Sequence, residues 1–310
     1  EIERHLTFKN PGYRSLVKMG TWTCSTQEFI SIFDYNVTKE QIALPRGYYK
    51  KLCNILKKYD IIPEPVNNML TLPAIDISSK ITLRDYQIDP VNAISNRSQG
   101  GLIAVCGAGK TNMAIELMCR VKQPTLWICH TKELLNQTIE RMLATTTLTK
   151  EEIGIISEGK VNISPMVTIG LIGTLCKRDI AEIQSKFGCV ILDEAHHMPA
   201  NTFYDVITQF DAKYRYYVTA TPVREDGLTD ILTYEMGEVA ATITLDDIKD
   251  SIIIPTLEII KTEFESNTDT YSDLIKELCN DNQRNKLLSD KIISEYIKGK
   301  YILVLSDRVE

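Results

Sequence analysis

The sequence predicts an α/β protein built on a parallel sheet with helices on both faces, and three observations support this class. Short apolar runs alternate with segments of helical periodicity in the middle of the chain. A glycine-rich loop separates one apolar run from the helical segment that follows it. Polar residues come directly after other apolar runs, as is typical of the sheet edge where α/β proteins bind ligands. The 310 residues divide into three predicted domains, 1–78, 79–245 and 246–310.

Residues 1–78 are predicted to form a small α+β accessory domain. Turn signals occur around Pro11 and Pro45, and proline-containing segments at 63–65 and 72–74 indicate a linker. Basic and aromatic side chains interleave around both turns, which suits phosphate contacts and base stacking. The same pattern also fits a small domain with a tyrosine-containing core and solvated lysines. Residues 1–80 have a net charge of +3 within a chain of net charge −6, so this domain is a candidate DNA-binding module.

The central domain, 79–245, supplies the predicted sheet. Strands are expected at 101–105, 125–129, 166–171, 189–193 and 214–221, and helices at 111–121, 132–143 and 201–210. Apolar runs without alternation indicate strands that are buried on both faces, which favours parallel pairing. In the third domain, strands are expected at 256–264 and 301–305 and helices at 271–279 and 283–297.

The loop after the first central strand predicts a site for a nucleoside triphosphate. Small residues let backbone N–H groups close around phosphates, a lysine can reach the β- and γ-phosphates, and a threonine hydroxyl can hold Mg²⁺. Ala104 stands where the strict pattern has glycine, so the loop is a variant of that pattern. We therefore predict binding of ATP and Mg²⁺ by Cys106, Gly107, Ala108, Gly109, Lys110, Thr111 and Asn112.

The segments that follow two further predicted strands contribute catalytic and phosphate-sensing residues to this predicted site. Asp193 and Glu194 follow a buried run, where a carboxylate can hold Mg²⁺ and a second one can orient and deprotonate a water molecule. Asp193, Glu194 and Lys110 are thus the predicted catalytic residues, with Thr111 and Asp193 at the metal. The run after Tyr214 ends in Thr-Ala-Thr-Pro, which is suited to sensing phosphate state.

Composition excludes some classes of protein. No run of 18 apolar residues is present and the start does not resemble a signal peptide, so neither a membrane span nor secretion is expected. None of the eight cysteines forms a Cys-x-x-Cys pair, which favours reduced thiols in the cytoplasm, in the nucleus or in a host cytoplasm.

The order of these motifs resembles that of superfamily 2 helicases of the DEAH type, in the group that includes XPB and UvsW. The segment Leu83 to Gln87 resembles the adenine-recognition motif, and Arg224 to Gly227 resembles the Arg-Glu-Asp element of the XPB group. This resemblance implies RecA-like domains, the second of them partial. It implies that Arg84 and Gln87 bind the nucleotide, and that His196, Thr219 and Thr221 couple its state to motion. It also implies nucleic-acid contacts by Thr131, Lys132, Thr168, Gly170, Arg224 and Asp226.

The resemblance implies an ATP-dependent DNA helicase or translocase. Two alternatives stay open: an RNA helicase, and a nucleotide-gated DNA-binding ATPase subunit of a larger restriction or repair machine. The later motifs of the family, including its arginine finger, are not found before Glu310. Because such an arginine contributes ~10³–10⁵ in rate, the isolated chain is expected to be truncated and weakly active.

Overall fold

The computed structural model describes residues 1–20, 26–195, 200–221, 229–251, 257–268 and 270–305. They fall into two compact units, Glu1–Ile253 and Ile254–Glu310. In the described part of the chain, no helix has the length and apolar character needed to cross a membrane.

The amino-terminal part of the first unit consists of short helices and paired strands. β1 pairs antiparallel with β2, and β3 pairs antiparallel with β4. The elements are α1 (Ile2–His5), β1 (Thr7–Lys9), α2 (Pro11–Lys18), β2 (Phe29–Ser31), β3 (Asp34–Asn36), β4 (Gln41–Ala43) and α3 (Tyr49–Lys57).

An eight-stranded sheet forms the centre of the first unit. Its strand order is β12-β5-β11-β10-β6-β9-β7-β8, and every neighbouring pair is parallel except the antiparallel hairpin of β7 and β8. The strands are β5 (Gln99–Ala104), β6 (Thr125–Cys129), β7 (Ile153–Ser157), β8 (Lys160–Asn162), β9 (Val167–Leu171), β10 (Cys189–Asp193), β11 (Tyr214–Thr219) and β12 (Val239–Ile243).

Helices follow most of these strands and cover the sheet on two sides. Two separate clusters of buried apolar side chains pack on the sheet, which explains why the central strands read as continuous apolar runs. The helices are α4 (Asp85–Ser95), α5 (Lys110–Val121), α6 (Lys132–Thr145), α7 (Ile172–Leu175), α8 (Ala200–Ile207), α9 (Thr229–Met236) and α10 (Leu245–Ile248). The predicted α/β class with a mainly parallel, RecA-like sheet is confirmed.

The second unit differs from the sequence-based expectation. Its two predicted helices are present as α11 (Tyr271–Asn280) and α12 (Asn282–Ile297), and Asp281 caps α12 by accepting hydrogen bonds from two backbone N–H groups. The predicted strands are wrong over residues 257–264 and 301–305, which adopt neither strand nor helix. Both segments are apolar enough for a strand, but a strand forms only when a neighbour satisfies its backbone groups; none is present in the described part of this unit.

The amino-terminal part is docked firmly on the central sheet. Arg46 donates three hydrogen bonds, one to the side chain of Gln99 and one each to the backbone carbonyls of Ala212 and Lys213, at 2.7–2.8 Å. The ring of Tyr48, which is fully buried, meets Tyr234 of α9 edge-on at 5.2 Å between centroids. The boundary at residue 78 stays a prediction, since residues 1–253 cluster as one unit.

A glycine makes this docking possible. A side chain at Gly47 would place its Cβ 2.5 Å from the carbonyl oxygen of Tyr234 and 2.6 Å from that of Thr233. The chain therefore packs directly, backbone against backbone, on the carboxyl-terminal half of α9.

The predicted linker also lies along the sheet. Leu70 forms a parallel bridge with Ala212, and both the N–H and the carbonyl of Leu72 bond to the side chain of Gln123. Ile75 and Ile77 enter the core beside α5 and β5. The segment thus runs past the amino ends of the strands, opposite the glycine-rich loop.

Candidate nucleotide site

The glycine-rich loop spans the gap between β5 and α5. Gly107 and Gly109 have φ values of 86° and 83°, in the left-handed region where glycine is strongly favoured. Gly109 is the residue before α5, so the loop presents the free N–H groups of the helix amino terminus to its concave side. Cys106 and Gly107 line the outer part of the loop, and Ala108 is buried. The loop can thus hold an anion of the size of a phosphate chain.

Lys110 joins this loop to the next strand end. Its ammonium Nζ lies 3.5 Å from Oε1 of Glu194, and the Lys110 side chain is only 8% exposed. β5 and β10 are separated by β11 in the sheet, so the contact spans two strand spacings. The predicted catalytic lysine and glutamate are therefore brought together, although they come from distant segments of the chain.

Glu194 has a backbone conformation that is unusual for its side chain. Its φ is 53°, in the left-handed region that non-glycine residues rarely adopt. Such conformations cost about 1–3 kcal/mol and are concentrated at functional sites. This turn directs the chain away from β10 immediately after Asp193 and places the Glu194 carboxylate opposite the loop.

Asp193 ends β10 as a buried carboxylate, with 2% of its surface exposed. Burial raises its pKa to about 6, the negative charge of Glu194 adds to the shift, and Lys110 opposes it. A buried acid of this kind is stabilised as a carboxylate by a cation. Mg²⁺ prefers oxygen ligands such as a carboxylate and a hydroxyl, so Asp193 and Thr111 fit that ion.

Gln87 connects the glycine-rich loop to the start of α4 through two hydrogen bonds. Its amide nitrogen donates to the carbonyl oxygen of Ala108 at 2.7 Å, and its amide oxygen accepts the backbone N–H of Arg84 at 2.9 Å. The side chain is 4% exposed. Arg84 is exposed and donates to the hydroxyl of Tyr86. Contact of either side chain with adenine stays a prediction, but the structure gives Gln87 a definite role in positioning the loop.

Two of the predicted coupling residues, Thr219 and Thr221, lie at the end of β11 and just beyond it, where β11 is the strand between β5 and β10. Thr219 ends β11, is buried, and donates from its hydroxyl to the carbonyl oxygen of Thr221 at 3.2 Å. Thr219 pairs with Ile103 of β5 in the sheet register, so it lies beside the strand that leads into the glycine-rich loop. His196 lies outside the described residues.

The predicted nucleic-acid contacts are placed unequally. Thr131 caps α6 by accepting the N–H of Leu134, and Lys132 beside it is exposed, both just beyond the carboxyl end of β6. Thr168 and Gly170 lie buried within β9, where the Thr168 hydroxyl is occupied by the backbone of Ser164. Arg224 and Asp226 lie outside the described residues.

A buried charge cluster beneath the sheet was not foreseen. Arg46 approaches Arg215 of β11, whose guanidinium lies 3.9 Å from the carboxylate of Glu235 on α9. Burial lowers the pKa of Arg46 to about 9, and burial raises that of Glu235 to about 7. No signal in the sequence could have found this cluster, because its members come from three distant segments.

The fold and the site together define a class of protein. A mainly parallel sheet with a glycine-rich loop after one strand, a lysine paired with a glutamate two strands away and a buried aspartate beside it is the arrangement expected of a RecA-like nucleotide-binding domain. Residues 80–224 match the family described as type III restriction enzyme, res subunit. This part of the chain is thus similar to superfamily 2 helicase domains, including those of XPB-type proteins.

Individual relatives agree with this assignment. A protein of Acanthamoeba polyphaga mimivirus, named as a putative ATP-dependent RNA helicase, is 31% identical over 77% of this chain and 48% of its own length. DNA 3'-5' translocase XPB2 of Sulfurisphaera tokodaii is 30% identical over 59% of this chain and 40% of its own length. The chain thus spans about half the length of the curated relatives it matches, or less.

The fold is also that of a solved helicase. The crystal structure of UvsW from bacteriophage T4 superimposes with a TM-score of 0.57, covering 78% of this chain and 91% of that one at 18% identity.

Proposed function

We propose that this chain is the motor part of an ATP-dependent DNA translocase or helicase. The observation that carries the proposal is the Lys110–Glu194 contact, which unites a phosphate-binding loop with a candidate base in one site. Relatives named as DNA 3'-5' translocases and helicases of the XPB type support DNA as the substrate.

In the proposed reaction, the γ-phosphoryl group of ATP is transferred to water. The backbone N–H groups of the glycine-rich loop and the Lys110 ammonium bind the phosphates and offset the charge that develops on them. Glu194 orients the attacking water and accepts its proton. The phosphates would replace Glu194 as the partner of the Lys110 ammonium. Asp193 and Thr111 would hold Mg²⁺, which supplies further charge neutralisation when bound.

Coupling and substrate binding use the same sheet edge. Thr219 and Thr221 would report the phosphate state along β11, with His196 as a further candidate. Thr131 and Lys132, at the neighbouring end of β6, would bind the sugar-phosphate backbone, which gives sequence-independent and salt-sensitive affinity. Because Thr168 is enclosed in β9, we expect a supporting role for it rather than a direct phosphate contact.

The test compares ATP turnover of three variants, each with and without duplex DNA, single-stranded DNA and single-stranded RNA. Glu194→Gln keeps the size of the side chain but cannot accept a proton, so turnover should fall by roughly 10²–10⁴-fold while ATP still binds. Lys110→Ala should lose both ATP affinity and turnover, by roughly 10²–10³-fold in rate. Lys177→Ala, an exposed lysine outside the site, is the control. Unchanged turnover in Glu194→Gln would refute the catalytic assignment.

Two alternatives are supported by specific observations. The mimivirus relative is named as an RNA helicase, so stimulation by RNA and not by DNA would favour an RNA substrate. The match to a restriction-enzyme subunit favours an ATPase that acts within a larger assembly. In that case, nucleic acid should bind and ATP should be hydrolysed without strand separation by the chain alone.

A further inference from the structure

Trp127 lies beside the candidate metal ligand Asp193, and the proposed mechanism gives it no part. Its side chain is fully buried. β6 and β10 pair in parallel, and Trp127 is the register partner of Ile191. Because register partners, and residues two apart on a strand, lie on the same face of a sheet, Trp127, Ile191 and Asp193 share one face. The indole therefore packs on the side of the sheet that carries the carboxylate, two residues before it in the register.

The indole N–H of Trp127 is a buried donor that the packing of the core does not satisfy. An indole nitrogen can donate a hydrogen bond but cannot accept one. In the described part of the chain, no acceptor meets this N–H with the geometry of a regular hydrogen bond. Native proteins leave few buried polar groups in this condition, and each one requires an explanation such as a catalytic role or a bound ion.

Two acceptors lie close to this N–H, the carboxylate of Asp193 and the thiol of Cys129. Burial raises the pKa of Asp193 to about 6, and the indole N–H of Trp127 opposes this rise, as a donor near a carboxylate does. The sulfur of Cys129 is a weak acceptor, and it already contacts the Thr138 hydroxyl at 4.0 Å. The carboxylate is therefore the stronger partner for the indole N–H.

A carboxylate that binds a metal ion is usually held by a hydrogen-bond donor, which fixes its orientation and favours its charged form. Asp193 is only 2% exposed, so water has little access to it and the protein itself must supply such a donor. Trp127 suits this role, because its large ring is enclosed by the apolar core and cannot easily turn away. Its neighbours in that core cluster include Met113, Cys129 and Ile191.

We propose that the indole N–H of Trp127 positions the Asp193 carboxylate for the binding of Mg²⁺ together with Thr111. The inference rests on the proposed function, because it concerns the metal ion that accompanies the nucleotide at this site. Trp127 is a positioning residue in this scheme. It acts through Asp193 and makes no contact of its own with the nucleotide.

The experiment measures how much Mg²⁺ the protein needs to bind nucleotide tightly. Binding of a fluorescent ADP analogue to the full chain is followed by anisotropy, first in EDTA and then over a range of Mg²⁺ concentrations. Trp127→Phe keeps an aromatic ring in the core but removes the N–H. In this variant, the Mg²⁺ concentration that gives half of the gain in affinity should rise by roughly 10- to 100-fold. The affinity in EDTA should not change, because the phosphate-binding loop is intact.

Phe187→Leu is the matched control for a loss of packing, since Phe187 is also fully buried but belongs to the other apolar cluster. Its Mg²⁺ requirement should equal that of the wild type, even where its melting temperature falls as far as that of Trp127→Phe. A double substitution tests the route of the effect. In a chain that already carries Asp193→Asn, Trp127→Phe should add no further rise in the Mg²⁺ requirement, because Trp127 acts through that carboxylate.

The fluorescence of Trp127 gives a second readout that leaves this residue in place. Trp22→Phe makes Trp127 the only tryptophan of the sequence. The emission of Trp127 should change when Mg²⁺ is added to the ADP-bound protein, because the charge next to the indole changes. The same addition should have no effect when Asp193→Asn is also present. This measurement does not depend on the folding of Trp127→Phe.

Four outcomes overturn the proposal. An unchanged Mg²⁺ requirement in Trp127→Phe refutes the positioning role and leaves the proposed motor intact. An equal rise in Trp127→Phe and Phe187→Leu assigns the effect to packing. Emission of Trp127 that does not respond to Mg²⁺ in the ADP-bound protein shows that the indole is not coupled to the metal site. A full chain that binds no nucleotide, with or without Mg²⁺, refutes the proposed function and the positioning role together.

Discussion

Two carboxylates and one ammonium, those of Asp193, Glu194 and Lys110, lie at the end of β10. Burial raises the pKa of Asp193 to about 6. Glu194 has a left-handed backbone conformation, and its carboxylate faces Lys110. The burial of Asp193 and the backbone of Glu194 therefore carry an electrostatic and a conformational cost. In the proposed mechanism, phosphates and a divalent cation would offset that energy on binding.

The buried charge of Asp193 makes a pH-dependent prediction. Because the folded state raises this pKa above its usual value, the ionised carboxylate destabilises the fold at neutral pH, and the cost declines as pH falls from about 6 towards 4. Asp193→Asn carries no such charge. The stability advantage of the variant over the wild type should therefore be roughly 1–1.5 kcal/mol larger at about pH 8 than at about pH 5. Chemical denaturation at both pH values measures this.

The control for this prediction is Asp76→Asn, an exposed carboxylate outside the site. Its stability relative to the wild type should be the same at both pH values. An equal result for Asp193→Asn would show that Asp193 is not held as an uncompensated buried charge. Asp193→Asn should also lose ATP turnover, so the substitution separates stability from activity.

At the scale of single elements, Arg46 attaches one loop to the ends of two strands. Its guanidinium donates to Gln99, at the start of β5, and to the carbonyls that precede β11. Arg46→Ala leaves those partly buried acceptors without their donor and should cost about 3–5 kcal/mol in the free energy of unfolding. Urea denaturation followed by circular dichroism measures the loss.

Arg46→Lys should rescue little of this stability, because an ammonium group cannot reproduce the planar fork of three hydrogen bonds. Arg4→Ala is the matched control, an exposed arginine of the same region, and should change stability by no more than about 0.5 kcal/mol. A variant Arg46→Ala as stable as the control would contradict the role of Arg46 as an anchor.

Elements with strong local patterns were predicted correctly from the sequence. β6, β10 and β11 are apolar runs with polar ends, and α5 follows a glycine-rich loop. The hairpin of β7 and β8 was missed, because β8 has three exposed residues and no periodicity of its own. The opposite error occurred at residues 301–305, where a strand was predicted but none forms. This apolar run has no described neighbour with which to pair.

The sequence predicted those residues of the candidate site that belong to local motifs. Lys110 and Glu194 were assigned from their own segments, and the structure brings them within 3.5 Å. The support of the loop by Gln87 and the anchoring by Arg46 could not be predicted, since both depend on contacts between segments that are distant in the chain. Thr168 was expected to contact nucleic acid. Its burial could not be predicted, because it depends on pairing with β7, a strand that the sequence did not reveal.

At the scale of the whole molecule, the core is continuous between the amino-terminal region and the sheet. Leu6, Ile32 and Tyr48 belong to the same cluster of buried side chains as Ile231 and Met236 of α9. Deletion of residues 1–60 should therefore expose an apolar surface and produce a less stable, aggregation-prone chain rather than an independent motor. Thermal unfolding and size-exclusion chromatography measure this.

Removal of residues 257–310 is the comparison, because these residues belong to the separate second unit. That deletion should leave the melting temperature of the first unit unchanged. A chain without residues 1–60 that unfolds at the temperature of the full chain would show that the shared core contributes little.

The position of Arg46 has a mechanical consequence. A force applied to the amino-terminal region reaches the sheet partly through the Arg46 joint. Here the joint ends on β5 and β11, whose opposite ends lead to the glycine-rich loop and to Thr219. Tension along these strands loads many sheet hydrogen bonds at once, in shear, rather than one after another. The force would therefore be carried along β5 and β11 to the end of the sheet where the glycine-rich loop lies.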